Sequence, residues 1–281
     1  SHAGQIILNG NNDTDNPQIF KANTSTTYPD VSVQSNVEIR NATQKGDLSV
    51  YKLTIGDSSN AKSLSAKSLS VDKNGGTLGT SSINGSVSTQ MDQKYEGVVT
   101  LMGDSVFTVS YSDKQLSFIQ GFTGASDKTI TINGNTEIAG TNTFGTVNIT
   151  GDATFFDSNT YTNLTCETAG KILKFAGGKT HTVSGKIKIT GEAGNLITLT
   201  TSDATPSASH KWILKVTSTI NDTNVQIKYA NVSYGEASNT FAGLDLAGSG
   251  KACVNGGNTK QWFKGSHYKW ISTSTSDWAT V

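Results

Sequence analysis

Short alternations of apolar and polar residues run the length of the chain, each closed by Gly, Asn, Asp or Ser. They fall at 5–8, 50–55, 98–101, 106–111, 129–132 and 147–149. They continue at 172–175, 186–189, 196–199, 212–216, 225–227 and 241–246. A period of two over four to seven residues, bounded by turn formers, predicts half-buried strands. Almost no window carries the 3.6-residue period of an amphipathic helix, so the chain is predicted to be all-β.

One pattern recurs: apolar-x-apolar-x-Gly, then Asn, Asp or Glu. It stands at Ile6-Ile7-Leu8-Asn9-Gly10-Asn11 and Val99-Thr100-Leu101-Met102-Gly103-Asp104. It returns at Ile130-Thr131-Ile132-Asn133-Gly134-Asn135, Val147-Asn148-Ile149-Thr150-Gly151-Asp152 and Ile187-Lys188-Ile189-Thr190-Gly191-Glu192. The last four copies begin at Val99, Ile130, Val147 and Ile187, at uneven intervals. A hairpin meander would give irregular intervals of this kind. So would a β-solenoid with coils of about 17 to 24 residues, in which the interval from Val147 to Ile187 is two coils.

Composition shifts the balance toward the solenoid. Hydrophobic residues make up 34% of the chain and charged residues 16%, with 29 Gly and 3 Pro. A solenoid core is a narrow tube needing two or three apolar side chains per strand, so it tolerates that scarcity. With coils of about 22 residues stacked at about 4.8 Å, the chain would form roughly a dozen coils, a rod of about 60 Å. Cys166 and Cys253, the two cysteines, would then lie about four coils apart, beyond the roughly 7 Å that a disulfide spans. Two free, buried thiols are expected.

Zero net charge and a single arginine, Arg40, remove the electrostatic footprint of a nucleic-acid binder. No apolar run approaches the roughly 20 residues that span a bilayer. Ser1-His2-Ala3 reads as a cloning remnant, so an export signal would lie outside this sequence.

Three stretches resemble filamentous-haemagglutinin-like exoproteins, the large secreted adhesins of Gram-negative bacteria. The first is Tyr95-Glu96-Gly97-Val98-Val99-Thr100-Leu101 through Leu116-Ser117-Phe118 to Lys128-Thr129-Ile130-Thr131-Ile132-Asn133-Gly134-Asn135. The second starts at Thr162-Asn163-Leu164-Thr165-Cys166 and passes through Leu173-Lys174-Phe175-Ala176-Gly177-Gly178-Lys179-Thr180 and Val183-Ser184-Gly185. It goes on through Gly194-Asn195-Leu196-Ile197-Thr198-Leu199 and Trp212 to Asn255-Gly256-Gly257-Asn258-Thr259-Lys260-Gln261-Trp262-Phe263. This block is similar to one that closes β-helical segments in such proteins. The third, Tyr268-Lys269-Trp270-Ile271 to Thr275-Ser276-Asp277-Trp278-Ala279, looks like the opening of a following module.

The resemblance covers residues 95–281, and residues 1–94 match in texture only. It implies a right-handed parallel β-helix, a single-stranded rod of the pectin-lyase type. It also implies export to the bacterial outer surface through an outer-membrane secretion pore, and adhesion to host or neighbouring-cell glycans or matrix proteins. The expected organisation is an irregular N-terminal part of the solenoid at 1–94 and a β-helix proper with its closing block at 95–264. Residues 265–281 are expected to be a linker or the start of another module, with the native chain continuing past Val281. The secretion domain of such proteins is not recognisable here, so the route, two-partner or autotransporter, stays open. The expected protein is a monomer that acts as shaft or binding segment; a ligand-free spacer is the alternative.

Enzymes on the same fold are the other alternative, but their chemistry is thinly represented. There is no Asp-Asp pair, no Gly-His-Gly, and His2, His181, His210 and His267 lack metal-ligand spacing. Stacking can bring distant carboxylates together, so a glycoside-hydrolysing pair stays open, yet no residue points to one. No enzymatic activity and no cofactor or metal are expected.

Gly177-Gly178-Lys179-Thr180 and Gly248-Ser249-Gly250-Lys251 are fragments of a phosphate-binding loop without its full spacing, and read as turns. Asn11, Asp13 and Asp15 have the start of a calcium-loop spacing, but Asn16 and Ala22 stand at its Gly and Glu positions. The Thr pairs 129/131, 180/182 and 198/200 raise ice binding, which needs a regular array at one rank; their spacing is uneven. Sequons begin at Asn12, Asn23, Asn41, Asn84, Asn148, Asn163, Asn221 and Asn231. Trp212 and Trp262 are expected to cap the solenoid, whereas Tyr268, Trp270 and Trp278, aromatics of a kind that can stack on sugars, fall in the tail from Gly265 to Val281 that reads as a linker or truncated module.

Overall fold

The computed structural model describes residues 5–10, 17–23, 26–73, 75–238, 246 and 251–263. Strands are the only regular elements in them, and almost all pair in parallel with a strand one coil away. The fold is a parallel β-solenoid, as the alternating pattern and low apolar content led one to expect.

Each coil contributes to three faces. One coil shows the plan: Gln115–Phe118 lies on the first face, Phe122–Thr123 on the second and Thr129–Asn133 on the third. The coils begin early in the chain, since Gln5–Leu8 already pairs with residues 30–33 and Gln18–Lys21 with 37–40. The one antiparallel pairing between the described strands joins Arg40 and Asn41 to Lys45 and Gln44, a small hairpin that leaves the wall of the third face.

The core explains how so few apolar residues suffice. A strand in such a wall turns alternate side chains inward, and the inward ones stack in columns. On the third face one column runs Val37, Leu64, Val87, Phe107, Ile132, Ile149, Cys166, Ile189 and Ile227, one residue per coil. Every member is buried. Aromatic rings form a second continuous system. Tyr95, Phe107, Phe118, Phe122, Phe144, Tyr161, Phe155 and Phe175 pass contact from ring to ring with centroids 4.4 to 6.1 Å apart. Trp212 then stacks on Phe175 at 4.6 Å, and Trp262 lies against Trp212 at 5.3 Å. Both indoles are fully buried at the C-terminal end of the described core, where they cover it.

The recurring motif is now readable. Val147 faces Leu164, which faces Ile187, so the interval from Val147 to Ile187 is two coils, the second longer than the first. Ile130 faces Val147, so the interval between them is one coil. The interval from Val99 to Ile130 is different in kind. Val99 pairs with Phe122 on the second face whereas Ile130 pairs with Ser105 on the third, so those copies occupy different walls. In the copies ending at Gly134, Gly151 and Gly191 the glycine marks a corner where backbones nearly touch. A Cβ on Gly151 would sit 1.9 Å from the carbonyl oxygen of Gly134, the matching glycine one coil before. No side chain fits there.

The cysteines require a correction. Cys166 faces Ile189, Ile189 faces Ile227, and Cys253 Sγ lies 3.6 Å from the Ile227 oxygen. They are three coils apart, not four, because a single long coil carries the chain from Ile189 to Ile227. Both are free thiols, Cys166 buried and Cys253 half-buried. Burial pushes the Cys166 thiol up to about 11 and raises that of Cys253 as well.

Candidate contact surface

The features singled out in the sequence scatter over the rod. His181 is buried, with Nδ1 3.2 Å from the Tyr161 hydroxyl, and burial pushes its pKa down to about 3. It is a neutral core imidazole. His210 is exposed and pairs with Asp203 Oδ2 at 2.9 Å; His2 and His267 lie outside the described residues. Among the described residues no group of three or more His, Cys, Asp or Glu could hold a metal ion, and no helix is long and apolar enough to cross a membrane.

Gly177-Gly178-Lys179-Thr180 is a corner between the first and second faces. Its Gly177 N–H donates to Asp203 Oδ1 at 2.9 Å and Gly178 N–H to the Lys211 carbonyl at 2.9 Å, while Lys179 pairs with Asp157 at 3.1 Å. The two glycine N–H donors are spent on the loop at 202–211, and the ammonium on Asp157, as the turn reading expects. The Asn11–Asp13–Asp15 spacing, residues 241–245 of the last expected strand, residues 248–250, and Tyr268 and Trp270 all lie outside the described residues. Of the sequons, Asn84 is buried with its amide donating to the Asp57 carbonyl, and the Asn163 amide donates to Thr146. Asn41 and Asn221 are exposed.

Two adjoining grooves lie at the corner between the second and third faces. One groove of about 560 Å³ is bordered by Thr54, Asp57, Asn60, Lys62 and Met102. A second of about 350 Å³ shares Lys62 and runs on over Asp104, Val106, Thr129 and Thr131. The tight loop at 56–61 forms the rim between them. Asp57 organises that loop: its carboxylate accepts from the N–H groups of Ser59 and Asn60, at 2.8 and 2.9 Å, and from the Asn60 amide. The Ser59 N–H bond is foremost in holding the exposed Asp57 carboxyl below its ordinary value. On the next coils Asp104 Oδ1 accepts the Thr129 N–H at 2.7 Å. The resulting strip presents carboxylate, amide, hydroxyl and ammonium groups beside the half-exposed Val106. It can hydrogen-bond a polar ligand laid across several coils.

Sequence reasoning missed this strip. Its residues come from segments around 57, 62, 104 and 130, and only the stacking brings them together. The three Thr pairs fall on three different walls: Thr129 and Thr131 on the third, Thr180 and Thr182 on the second, Thr198 and Thr200 on the first. As pairs they make no array. No family model, curated protein or solved structure matches the chain.

Proposed function

We propose that the chain is an attachment segment of an exported surface protein, a rod that carries its ligand site on its flank. The observation supporting this reading most is the double groove around Lys62, where Asp57 is held by N–H groups of its own loop and Asp104 by the Thr129 N–H of the next coil. Such preorganisation lowers the ordering cost of binding a flexible polar chain. Hydroxyl-rich glycans fit the donor and acceptor mixture, and the rod gives length between cell and ligand. This agrees with the resemblance to secreted adhesins over residues 95–281.

The test is binding of the labelled chain to glycan and matrix-protein arrays, in calcium and in chelator. Selective binding to one glycan class is expected, falling at least tenfold in Lys62→Ala, about 1.4 kcal/mol, and unchanged in Lys171→Ala. A uniform negative would replace attachment by a spacer role. Glycan cleavage during the assay would replace it by an enzyme.

A further inference from the structure

The outer side of the second face differs from the other two. In its middle rank Ile7 is followed by Ser32, Thr54, Ser82, Thr100 and Thr123, each directly opposite the one before. Thr143, Thr160 and Thr182 form the next run of direct partners, which ends at Lys215. The two runs join where the Phe122 N–H donates to Asn142 Oδ1 at 2.6 Å, linking the residues beside Thr123 and Thr143. One rank thus carries Ser or Thr on eight successive coils, the last five all Thr.

A second hydroxyl rank stands two residues earlier in three of these coils: Thr141, Ser158 and Thr180. The local sequences are Thr-Asn-Thr, Ser-Asn-Thr and Thr-His-Thr. The central residue points inward each time, and Asn142, Asn159 and His181 are stacked in register. Asn159 Oδ1 accepts both the backbone N–H of Asn142 (2.9 Å) and its amide (2.8 Å), which pins the spacing of the coils from inside.

The other walls lack this uniformity. On the first face a comparable rank includes Lys94, Glu137 and Lys174. On the third, several hydroxyls are already engaged, Thr150 with Asn133, Thr165 with Asn148 and Thr146 with Asn163, and the rank of Thr131 also holds Val106, Asn148 and Lys188. Among the described residues, no side-chain hydrogen bond engages the hydroxyls of Thr54, Ser82, Thr100, Thr123, Thr143, Thr160 or Thr182.

A parallel wall sets these groups on a grid of about 4.8 Å between coils and about 6.6 Å along each strand. Thr is β-branched and stiff at χ1, so each methyl and hydroxyl keeps its place on that grid. The free hydroxyls can only bond water, each with one donor and two acceptor sites, and a periodic row of hydroxyls holds its waters in a periodic row. We infer that the second face, from Thr100 to Thr182, binds ice, by presenting an ordered water layer that joins the crystal lattice. Each contact is weak, and the match of many at once supplies the affinity. A crystalline polysaccharide would offer another lattice. No aromatic side chain stands in either rank to stack on sugar rings, and that favours ice. The inference stands apart from the Lys62 groove and uses the attachment reading only for its biological sense, with ice as a substratum.

The experiment measures thermal hysteresis of the purified chain and incorporation of its labelled form into a slowly grown ice hemisphere. Thr160→Tyr breaks the array, and Thr154→Tyr places the same ring on the first face. Circular dichroism and melting temperature establish that both variants are folded. Expected are hysteresis and incorporation for the native chain, at least a fivefold loss for Thr160→Tyr, and native behaviour for Thr154→Tyr. Rejection of the native chain from ice, or equal effects of the two variants, would overturn the inference. So would binding to microcrystalline cellulose or chitin that Thr160→Tyr abolishes while ice is ignored. Glycan binding lost in Lys62→Ala, together with rejection from ice, would leave the attachment reading standing and remove this one.

Discussion

Trp212→Ala is expected to destabilise the chain by about 3–5 kcal/mol, as for other buried aromatics cut to a methyl group. The ring is 1% exposed, stacks on Phe175, leans on Trp262 and donates from Nε1 to the Ser233 carbonyl at 3.0 Å. Gly235 lies directly against it, where a Cβ would come within 2.7 Å of the Trp212 ring and 2.9 Å of Trp262 Nε1. The site is a close fit of two indoles over one bare backbone, so the cavity would not fill by small shifts. A solenoid coil touches only its neighbours, and the damage should therefore be local. Hydrogen exchange should rise in strands Ile197–Thr201, Trp212–Val216 and Val225–Lys228 and stay native in strands between Val37 and Phe118. Equal loss of protection at both ends would argue against a rod of separable coils.

The second large effect is acid sensitivity seated at His181. Its pKa is pushed from 6.5 to about 3 by burial. The folded state therefore binds fewer protons than the unfolded state between those values, and stability rises with pH through that window. The stabilisation is fully present above about pH 6.5 and is lost as pH falls toward 3. At 1.36 kcal/mol per unit, going from pH 7.5 to pH 4 should cost about 3 kcal/mol. His181→Asn extends the ladder of Asn142 and Asn159 with a group that does not titrate. It should be somewhat less stable at pH 7.5 because of the volume lost beside Phe155 and Phe175, but nearly flat to pH 4. Urea unfolding of both proteins at the two pH values measures the difference. Parallel pH slopes would place the acid sensitivity elsewhere.

How much of this was legible in the sequence depends on whether a feature belongs to one strand or to the stack. Strand positions such as 129–132 and 212–216 were legible, because two inward residues per strand leave a period of two. The coil length was legible where coils are regular: Ile130, Val147 and Leu164 follow one another at equal steps. It failed where loops intrude, and the long excursion between Ile189 and Ile227 made the cysteines look one coil farther apart than they are. The Lys62 grooves were hidden because three or more coils build them. The hydroxyl rank was hidden for the same reason. Unequal steps along the chain from Thr54 to Ser82, then to Thr100, then to Thr123 erase any period. Its one local trace is the set Thr-Asn-Thr, Ser-Asn-Thr and Thr-His-Thr, in which a buried polar residue sits between two outward hydroxyls.

Both surface readings depend on the register between coils, and a cross-coil disulfide measures it directly. Ile149 faces Cys166 in the adjacent coil, whereas Ile132 lies one coil farther. Facing residues on adjacent strands are about 4.8 Å apart, within the range of Cα separations a disulfide accepts, and two coils are not. In a Cys253→Ser background folded in a glutathione redox buffer, Ile149→Cys should form a disulfide with Cys166, seen by peptide mapping. Ile132→Cys should keep both thiols free. A bond in the second variant, or none in the first, would contradict the stacking from which the core, the grooves and the hydroxyl rank all follow.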